Sequence, residues 1–237
     1  MACTENREIP NRFARTLRWT TRSAAAGVAS IAVAAQGAII DFEDFATPNT
    51  CGYYFDNFGV MPSSYAGFNW STDFPFSGDI CTPANSMAVY RNTQSPGMSP
   101  SGFSTAIPQG TRAGFIPVYW SWGELRMSRT EAWAFHGAAF AGIWRNNVWV
   151  RLEGYQGTTQ THTHLAFLGA AGVSQQVNVN FTGIDRLVIR VQLGNWAGWD
   201  GDLPMTTIDN ISYTVVPAPG ALALFALAGS VRRRRAR

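Results

Sequence analysis

The sequence contains no lysine, and all 18 of its basic residues are arginines. Ten of these arginines lie near the two ends, five within the first 22 residues and five within the last six. The segment between them holds eight arginines against thirteen acidic residues, a formal net charge of −5. Because the excess of basic over acidic residues is confined to the ends, the central segment does not carry the basic surface that nucleic-acid binding requires. We therefore predict no nucleic-acid partner.

The sequence also lacks the short motifs that mark common catalytic sites. It has no GxSxG nucleophile elbow, no HExxH zinc motif and no glycine-rich phosphate loop. A glycosidase uses a pair of catalytic acids, and the candidates for such a pair are Glu124, Glu131 and Glu153. However, a few acids in a chain of this size need no catalytic explanation. We predict that the protein is not an enzyme.

Cysteine is scarce, with three residues in the chain. Cys3 lies in the N-terminal segment, which leaves Cys51 and Cys81 in the central part. In an exported domain these two cysteines can form a disulfide, which would stabilise the fold by about 3–4 kcal/mol. Two unrelated buried thiols are the alternative.

Residues 1–38 have the order of an export signal. An arginine-rich stretch over 11–22 is followed by the apolar sequence AAAGVASIAVAA over 24–35. Small residues then offer cleavage sites after Ala34, Gly37 or Ala38. The arginines and serines also suit a mitochondrial presequence or an amphipathic surface helix. We predict a helical signal peptide over 1–38 and passage through the export machinery.

Residues 39–215 show the alternation of apolar and polar residues that is typical of β-strands. In QQVNVNFT, Val177, Val179 and Phe181 share one face, and NVWVRLEGY and DRLVIRVQL alternate in the same way. Turn residues interrupt every short apolar run over 47–117, which predicts loops and short edge strands there. We predict one antiparallel all-β domain, a sandwich or a barrel.

The C-terminal segment 216–237 has three parts: a proline motif, a twelve-residue apolar run over 220–231 and an arginine cluster. As a helix the apolar run would span about 18 Å, whereas the hydrocarbon core of a bilayer is about 30 Å thick. Arginines after such a run stay on the cytoplasmic side of the membrane. These features favour a short helix that anchors the chain transiently over a permanent membrane span.

Several stretches carry a family resemblance: IIDFEDF (39–45), YAGFNW (65–70), FHGAAFAGIWRNNVWVRLEGYQGTTQTHT (135–163), VNVNFTGIDRLVIRV (177–191) and TTIDNISY (206–213). Together with the C-terminal segment, they resemble bacterial exported proteins that carry a PEP-CTERM sorting domain. The sorting motif would comprise Val216, Pro217, Ala218, Pro219, Arg232, Arg233, Arg234 and Arg235. Ala218 stands where the family usually has an acidic residue.

The resemblance implies a fold and a destination. It implies a jelly-roll β-sandwich, similar in topology to carbohydrate-binding modules, between the signal helix and the short C-terminal helix. A processing enzyme of the exosortase type would cut near the proline motif and release the protein to the cell envelope or the extracellular matrix. We expect a non-catalytic surface or matrix protein, with a calcium-stabilised module that binds extracellular polysaccharide as the alternative.

Three carboxylates are candidates for a metal site. Asp41 and Glu43 share one face of the first predicted strand, and Asp209 opens the last one. If the first and last strands are neighbours, these carboxylates meet, and oxygen ligands of this kind suit calcium. The resemblance to jelly-roll modules also implies a structural calcium ion in this region. The alternative is turn chemistry, because Asp and Asn often flank strands.

The stretch NWAGWDGD over 195–202 is the candidate ligand site. Trp196 and Trp199 can offer flat apolar surfaces to sugar rings, and Asp200 and Asp202 can accept hydrogen bonds. Trp122 belongs to a further aromatic pair at strand spacing, in VYWSWG. Packing within the domain is the alternative role for each tryptophan.

Overall fold

The computed structural model describes residues 37–45, 58–73, 87–91, 106–118, 122–198 and 205–216. All of them belong to one compact unit, Val33–Arg237. Within these ranges the chain forms thirteen β-strands and no α-helix. The two predicted terminal helices lie outside the described residues, as do Cys51, Cys81 and Pro217 onward. No helix long and apolar enough to cross a membrane occurs in the described part of the chain.

The strands follow one another with the bounds β1 Gly37–Ile40, β2 Phe58–Val60, β3 Ser64–Tyr65, β4 Phe68–Thr72, β5 Ala88–Arg91, β6 Arg112–Pro117, β7 Trp122–Gly142, β8 Arg145–Asn146, β9 Val148–Gln156, β10 Thr159–Leu168, β11 Gln175–Gln192, β12 Asn195–Trp196 and β13 Met205–Val215. Eleven of them form a sheet in which all pairings are antiparallel, with the order β10-β9-β11-β7-β13-β6-β5-β2. In addition, β4 pairs with β7, β3 with β4, and β1 with β13. β8 and β12 form a separate two-stranded sheet.

The two longest strands, β7 and β11, divide the large sheet into two halves. Residues 122–128 of β7 pair with residues 186–192 of β11 and with β4. Residues 133–142 of β7 pair with residues 175–184 of β11 and with β13. A register shift between Ile184 and Arg186 separates these two regions of β11, and Gly183, near the end of the first region, has a φ of 69°. Such irregularities bend a strand and let it pass from one layer to another.

We call the part formed by β3, β4, β9, β10 and the 122–128 and 186–192 regions the front half, and the remainder of the large sheet the back half. One apolar core contains residues from both halves. Phe68 of β4 contacts Tyr213 of β13 with a centroid distance of 4.9 Å, and Phe42 after β1 lies 6.3 Å from Trp70 of β4. The aromatic contacts therefore join the two halves across the core.

The alternation in the sequence matches the burial. On β9, Val148, Val150 and Leu152 are buried, whereas Trp149 and Arg151 are exposed. On β11, Leu187, Ile189 and Val191 are buried and Arg190 is exposed, but Val188 on the alternate face is buried as well. The prediction of an antiparallel all-β fold is confirmed. β1 starts at Gly37, two residues before the predicted start of the domain at Ile39, and β13 ends at Val215.

Candidate functional site

The solvent-facing side of the front half carries a row of aromatic residues. Phe167, Trp149, Gln192 and Trp122 lie in register on β10, β9, β11 and β7. The side chains of Phe167, Trp149 and Trp122 are 42%, 41% and 52% exposed. The rings of Trp149 and Phe167 contact each other, with centroids 4.7 Å apart and an interplanar angle of 55°. We call Phe167, Trp149 and Trp122 the aromatic row.

Charged residues occupy the next positions on the same face. A second register row lies two residues along each strand from the aromatic row. It contains three charged residues and one leucine: Leu165, Arg151, Arg190 and Glu124. Because side chains alternate between the two faces of a strand, this second row points in the same direction as the first. The face therefore combines exposed rings with charged groups.

Glu124 is buried although it belongs to the solvent-facing side of the sheet. Its side chain is 2% exposed, and it forms ion pairs with Arg126 and Arg190. Arg190 Nη2 lies 3.0 Å from Glu124 Oε2, and Arg126 Nη2 lies 2.8 Å from Asp73 Oδ1. The two guanidinium groups therefore cover the carboxylate and supply the charge that a buried acid needs.

Glu153 extends the same network one strand away. Arg190 Nε lies 3.3 Å from Glu153 Oε2, and the Tyr155 hydroxyl donates to the same oxygen at 2.8 Å. Burial and the neighbouring Glu153 carboxylate raise the pKa of the Tyr155 phenol. Arg186 lies over the Tyr155 ring, 4.5 Å from its centroid. A connected set of ion pairs therefore fixes the positions of the polar groups beside the aromatic row.

This arrangement suits a ligand that has apolar C–H faces and also carries many hydroxyl groups. Exposed ring faces can pack against the C–H faces of such a ligand, and the adjacent charged groups can hydrogen-bond to its hydroxyls. The sequence interpretation missed this site. The alternation of NVWVRLEGY places Trp149, Arg151, Glu153 and Tyr155 on one face, but the sequence does not show which residues of β7, β10 and β11 lie beside them.

The predicted site at 195–202 is described only in part. Trp196 forms β12 with Asn195, pairs with Arg145 of β8 and is 56% exposed. Trp199, Asp200 and Asp202 lie outside the described residues. Trp196 belongs to the two-stranded sheet and is not in the register rows of the front half. The ligand role of these four residues stays a prediction.

Glu43, one of the three predicted metal ligands, is engaged by protein donors. Its carboxylate accepts from the backbone N–H groups of Thr111 at 2.6 Å and Arg112 at 2.9 Å, and from the Thr111 hydroxyl at 2.8 Å. Partial burial raises the pKa of Glu43, but these hydrogen bonds outweigh it and leave the pKa below its ordinary value. Gly110, with a φ of 76°, precedes this contact and leaves room for the carboxylate. Glu43 thus fastens the segment after β1 to the start of β6.

Asp209, the third predicted ligand, is fully buried on β13. Its Oδ1 accepts from the backbone N–H of Asn210 at 2.7 Å, and its Oδ2 has no hydrogen-bond partner among the described residues. Burial, together with the nearby charges of Glu43 and Asp41, raises the pKa of Asp209 to about 7, although hydrogen bonds from the backbone oppose the shift. β1 pairs with β13, as the predicted site requires, and the charges of Glu43 and Asp41 both act on Asp209.

The side-chain arrangement does not by itself fit a calcium ion. The described residues contain no group of three or more His, Cys, Asp or Glu side chains that could hold a metal. Glu43 already accepts three hydrogen bonds, so its oxygens are directed at Thr111 and Arg112. Among the described residues of this site, the buried Asp209 Oδ2, which lacks a hydrogen-bond partner, is the one observation that favours a bound cation. Calcium binding by Asp41, Glu43 and Asp209 stays a prediction.

Comparisons with known proteins give distant likenesses. No family model matches the chain, and no curated protein matches it. The solved structure of the carbohydrate-binding module TmCBM61 with β-1,4-galactotriose is 12% identical, with a TM-score of 0.36, and the match covers 66% of this chain and 92% of that one. A CBM4 structure is 11% identical over 62% of this chain and 94% of its own, with a TM-score of 0.32.

A third likeness is to the enzymatically active domain of tailspike protein 4 of bacteriophage CBA120. It is 7% identical, with a TM-score of 0.35, and the match covers 64% of this chain and 20% of that one. All three TM-scores are too low to assign a function to this chain.

Proposed function

We propose that this protein binds extracellular polysaccharide through the aromatic row and the charged residues beside it, without cleaving the chain it binds. The observation that carries the proposal is the register of Phe167, Trp149 and Trp122 across four neighbouring strands. A jelly-roll arrangement of the two sheet halves would present this face on the outside of a sandwich.

The exposure of these rings supports a ligand. Burial of an aromatic side chain stabilises a fold, because its apolar surface leaves water. Three large rings on one face of this domain nevertheless remain 41–52% exposed. A single exposed apolar residue needs no explanation, but a row of rings beside fixed polar groups is typical of a binding surface. The ion pairs of Glu124 and Glu153 hold the polar groups in place before a ligand arrives.

The same ion pairs favour binding over catalysis. A general acid in glycoside hydrolysis must reach the glycosidic oxygen of the substrate, whereas the carboxylates of Glu124 and Glu153 are buried and contact the Arg190 guanidinium. We therefore expect no release of reducing sugar when the protein is incubated with a polysaccharide that it binds. Release that stopped in Glu124→Gln would instead favour an enzyme.

Affinity electrophoresis through gels containing single polysaccharides tests the binding proposal. The full chain should be retarded by at least one polymer of a panel that includes galactan, mixed-linkage glucan, polygalacturonate and alginate. Trp149→Ala should weaken this retardation about tenfold, equivalent to about 1.4 kcal/mol. Trp196→Ala is the matched control, since Trp196 is exposed but lies on the two-stranded sheet.

Three outcomes are informative. Loss in Trp149→Ala with an unchanged Trp196→Ala supports the proposed face. Loss in Trp196→Ala alone moves the ligand site to the predicted loop at 195–202. Retardation by none of the polymers contradicts a polysaccharide-binding function.

We also propose that the protein is exported and that its C-terminal segment is a sorting signal. The position of β13 supports this proposal, because the strand ends at Val215, immediately before the proline motif. A cut near Pro217–Pro219 would therefore leave every described strand intact. Mass spectrometry of the protein recovered outside the cells tests it: the mature form should lack Arg232–Arg235, and a mature form that retains them contradicts processing.

A further inference from the structure

We infer that the polysaccharide is acidic, and that Arg151 contacts a carboxylate of its sugar units. This inference rests on the proposed binding function and specifies the class of ligand. It is carried by the surroundings of Arg151, which lies on β9 two residues after Trp149 and on the same face of the sheet.

Arg151 has a cation as its cross-strand neighbour. It lies directly opposite Arg190 of β11 on one side and Leu165 of β10 on the other. Two like charges in directly opposite positions of neighbouring strands destabilise a sheet. The carboxylates of Glu124 and Glu153 offset the charge of Arg190, whereas no ion pair within the described residues offsets that of Arg151.

The acids of the same face are already engaged. Glu124 forms ion pairs with Arg126 and Arg190, and Glu153 forms one with Arg190 and accepts from the Tyr155 hydroxyl. Asp73 forms an ion pair with Arg126. Within the described part of the chain, Arg151 takes part in no ion pair, and its side chain is exposed.

Arg190 and Arg151 therefore differ in role although they are neighbours. Arg190 is held by two carboxylates and supports the fold, while the guanidinium of Arg151 keeps its donors available to a ligand. A planar guanidinium matches a carboxylate with two parallel hydrogen bonds. Because Arg151 lies beside the exposed Trp149 ring, a sugar packed on that ring would bring its carboxylate within reach of Arg151.

Polygalacturonate and its methyl ester are suitable probes, because the two polymers share a backbone and differ in charge. The full chain should bind polygalacturonate at least about tenfold more tightly than the ester, and 0.5 M NaCl should remove most of this preference. Arg151→Gln should abolish the preference, and Arg151→Lys should retain part of it because the charge remains.

Gln176→Glu is the matched control for net charge. It lowers the charge of the protein by one, as Arg151→Gln does, but Gln176 is exposed on the back half. The preference for the acidic polymer should persist in Gln176→Glu. Loss of the preference in both variants would show a general charge effect and overturn the role of Arg151.

The outcomes separate this inference from the proposed function. The wild type could bind polygalacturonate no more tightly than its methyl ester or the neutral galactan. If Trp149→Ala weakens that binding, the polysaccharide function stands and the acidic specificity is wrong. An unchanged preference in Arg151→Gln also overturns the inference. If the wild type binds no polymer of either charge, the proposed function fails and the inference fails with it.

Discussion

Trp149 of β9 and Phe167 of β10 lie directly opposite each other on the solvent-facing side of the front half, with their ring centroids 4.7 Å apart. Each ring remains about two-fifths exposed. The pair therefore stabilises the edge of the sheet and at the same time presents apolar surface to solvent. The same surface carries Arg190, which contacts both Glu124 and Glu153.

Arg190→Gln should lower the free energy of unfolding by about 1–3 kcal/mol. The substitution removes the guanidinium that contacts both Glu124 and Glu153, and the side chain of Glu124 is 2% exposed. Arg151→Gln is the control and should change the stability by less than about 0.5 kcal/mol. Urea denaturation of both variants measures the difference, and equal losses would contradict the separate roles of the two arginines.

The stability of the domain should fall as the pH rises toward about 7, because of Asp209. Its pKa is about 7 in the folded protein and about 4 in an unfolded chain, so the folded state binds the proton more tightly. The stabilisation is complete below the unfolded pKa and is lost as the pH passes through the folded one. Between these two values the free energy of unfolding should decrease by up to about 1.4 kcal/mol per pH unit.

Asp209→Asn tests the assignment of this pH dependence, since asparagine has a similar shape and does not titrate. Denaturation curves between pH 4 and pH 8 should show a slope in the wild type that is reduced in the variant. A wild-type stability that rises steadily across this range, or a slope that persists in Asp209→Asn, would contradict the assignment.

Glu43→Gln should destabilise the domain by about 1–3 kcal/mol. The charged carboxylate accepts hydrogen bonds from two backbone N–H groups and one hydroxyl, and the amide weakens or removes these contacts. If these contacts are the main role of Glu43, the loss should be the same with and without EDTA. Calcium binding predicts a different result: EDTA would lower the melting temperature of the wild type to that of the variant and leave Glu43→Gln unchanged.

If residues 1–38 contain the proposed export signal, its cleavage site should be after Ala34. Cleavage there retains all of β1, whereas cleavage after Gly37 or Ala38 removes residues that pair with Thr214 and Tyr213 of β13. N-terminal sequencing of the exported protein should therefore begin at Ala35. A start at Ala38 or Ile39 would contradict this expectation.

The all-β class of the fold could be predicted from local patterns in the sequence. The alternation at Val148, Val150 and Leu152 predicts both the strand and its buried face, because a strand places successive side chains on opposite sides. The pairing of the first and last strands, on which the candidate site of Asp41, Glu43 and Asp209 depends, is also present in the structure.

The candidate site could not be predicted in the same way. Phe167, Trp149 and Trp122 are separated by 18 and 27 residues in the chain and meet only through the register of β10, β9, β11 and β7. Register depends on bulges and on long-range pairing, which no local pattern specifies. The sequence instead favours Trp196 and Trp199, because they lie three residues apart in a stretch that is otherwise rich in Gly and Asp.

The sequence does not reveal the partners of individual hydrogen bonds either. The sequence assigns Asp41 and Glu43 to one face of a strand, but β1 ends at Ile40 and Phe42 has a φ of 58°. This left-handed turn directs Glu43 toward Thr111 and Arg112, which lie 68 and 69 residues further along the chain. A contact over that distance depends on the path of the intervening segment, which the sequence pattern does not reveal.

The crystal structure of the protein with trigalacturonate would test the central claim most directly. We predict that the oligosaccharide lies on the solvent-facing side of the front half, with one sugar ring packed on Trp149 and its carboxylate at Arg151. An oligosaccharide bound at Trp196 or on any surface other than the front half, or a calorimetric titration without binding, would contradict the account.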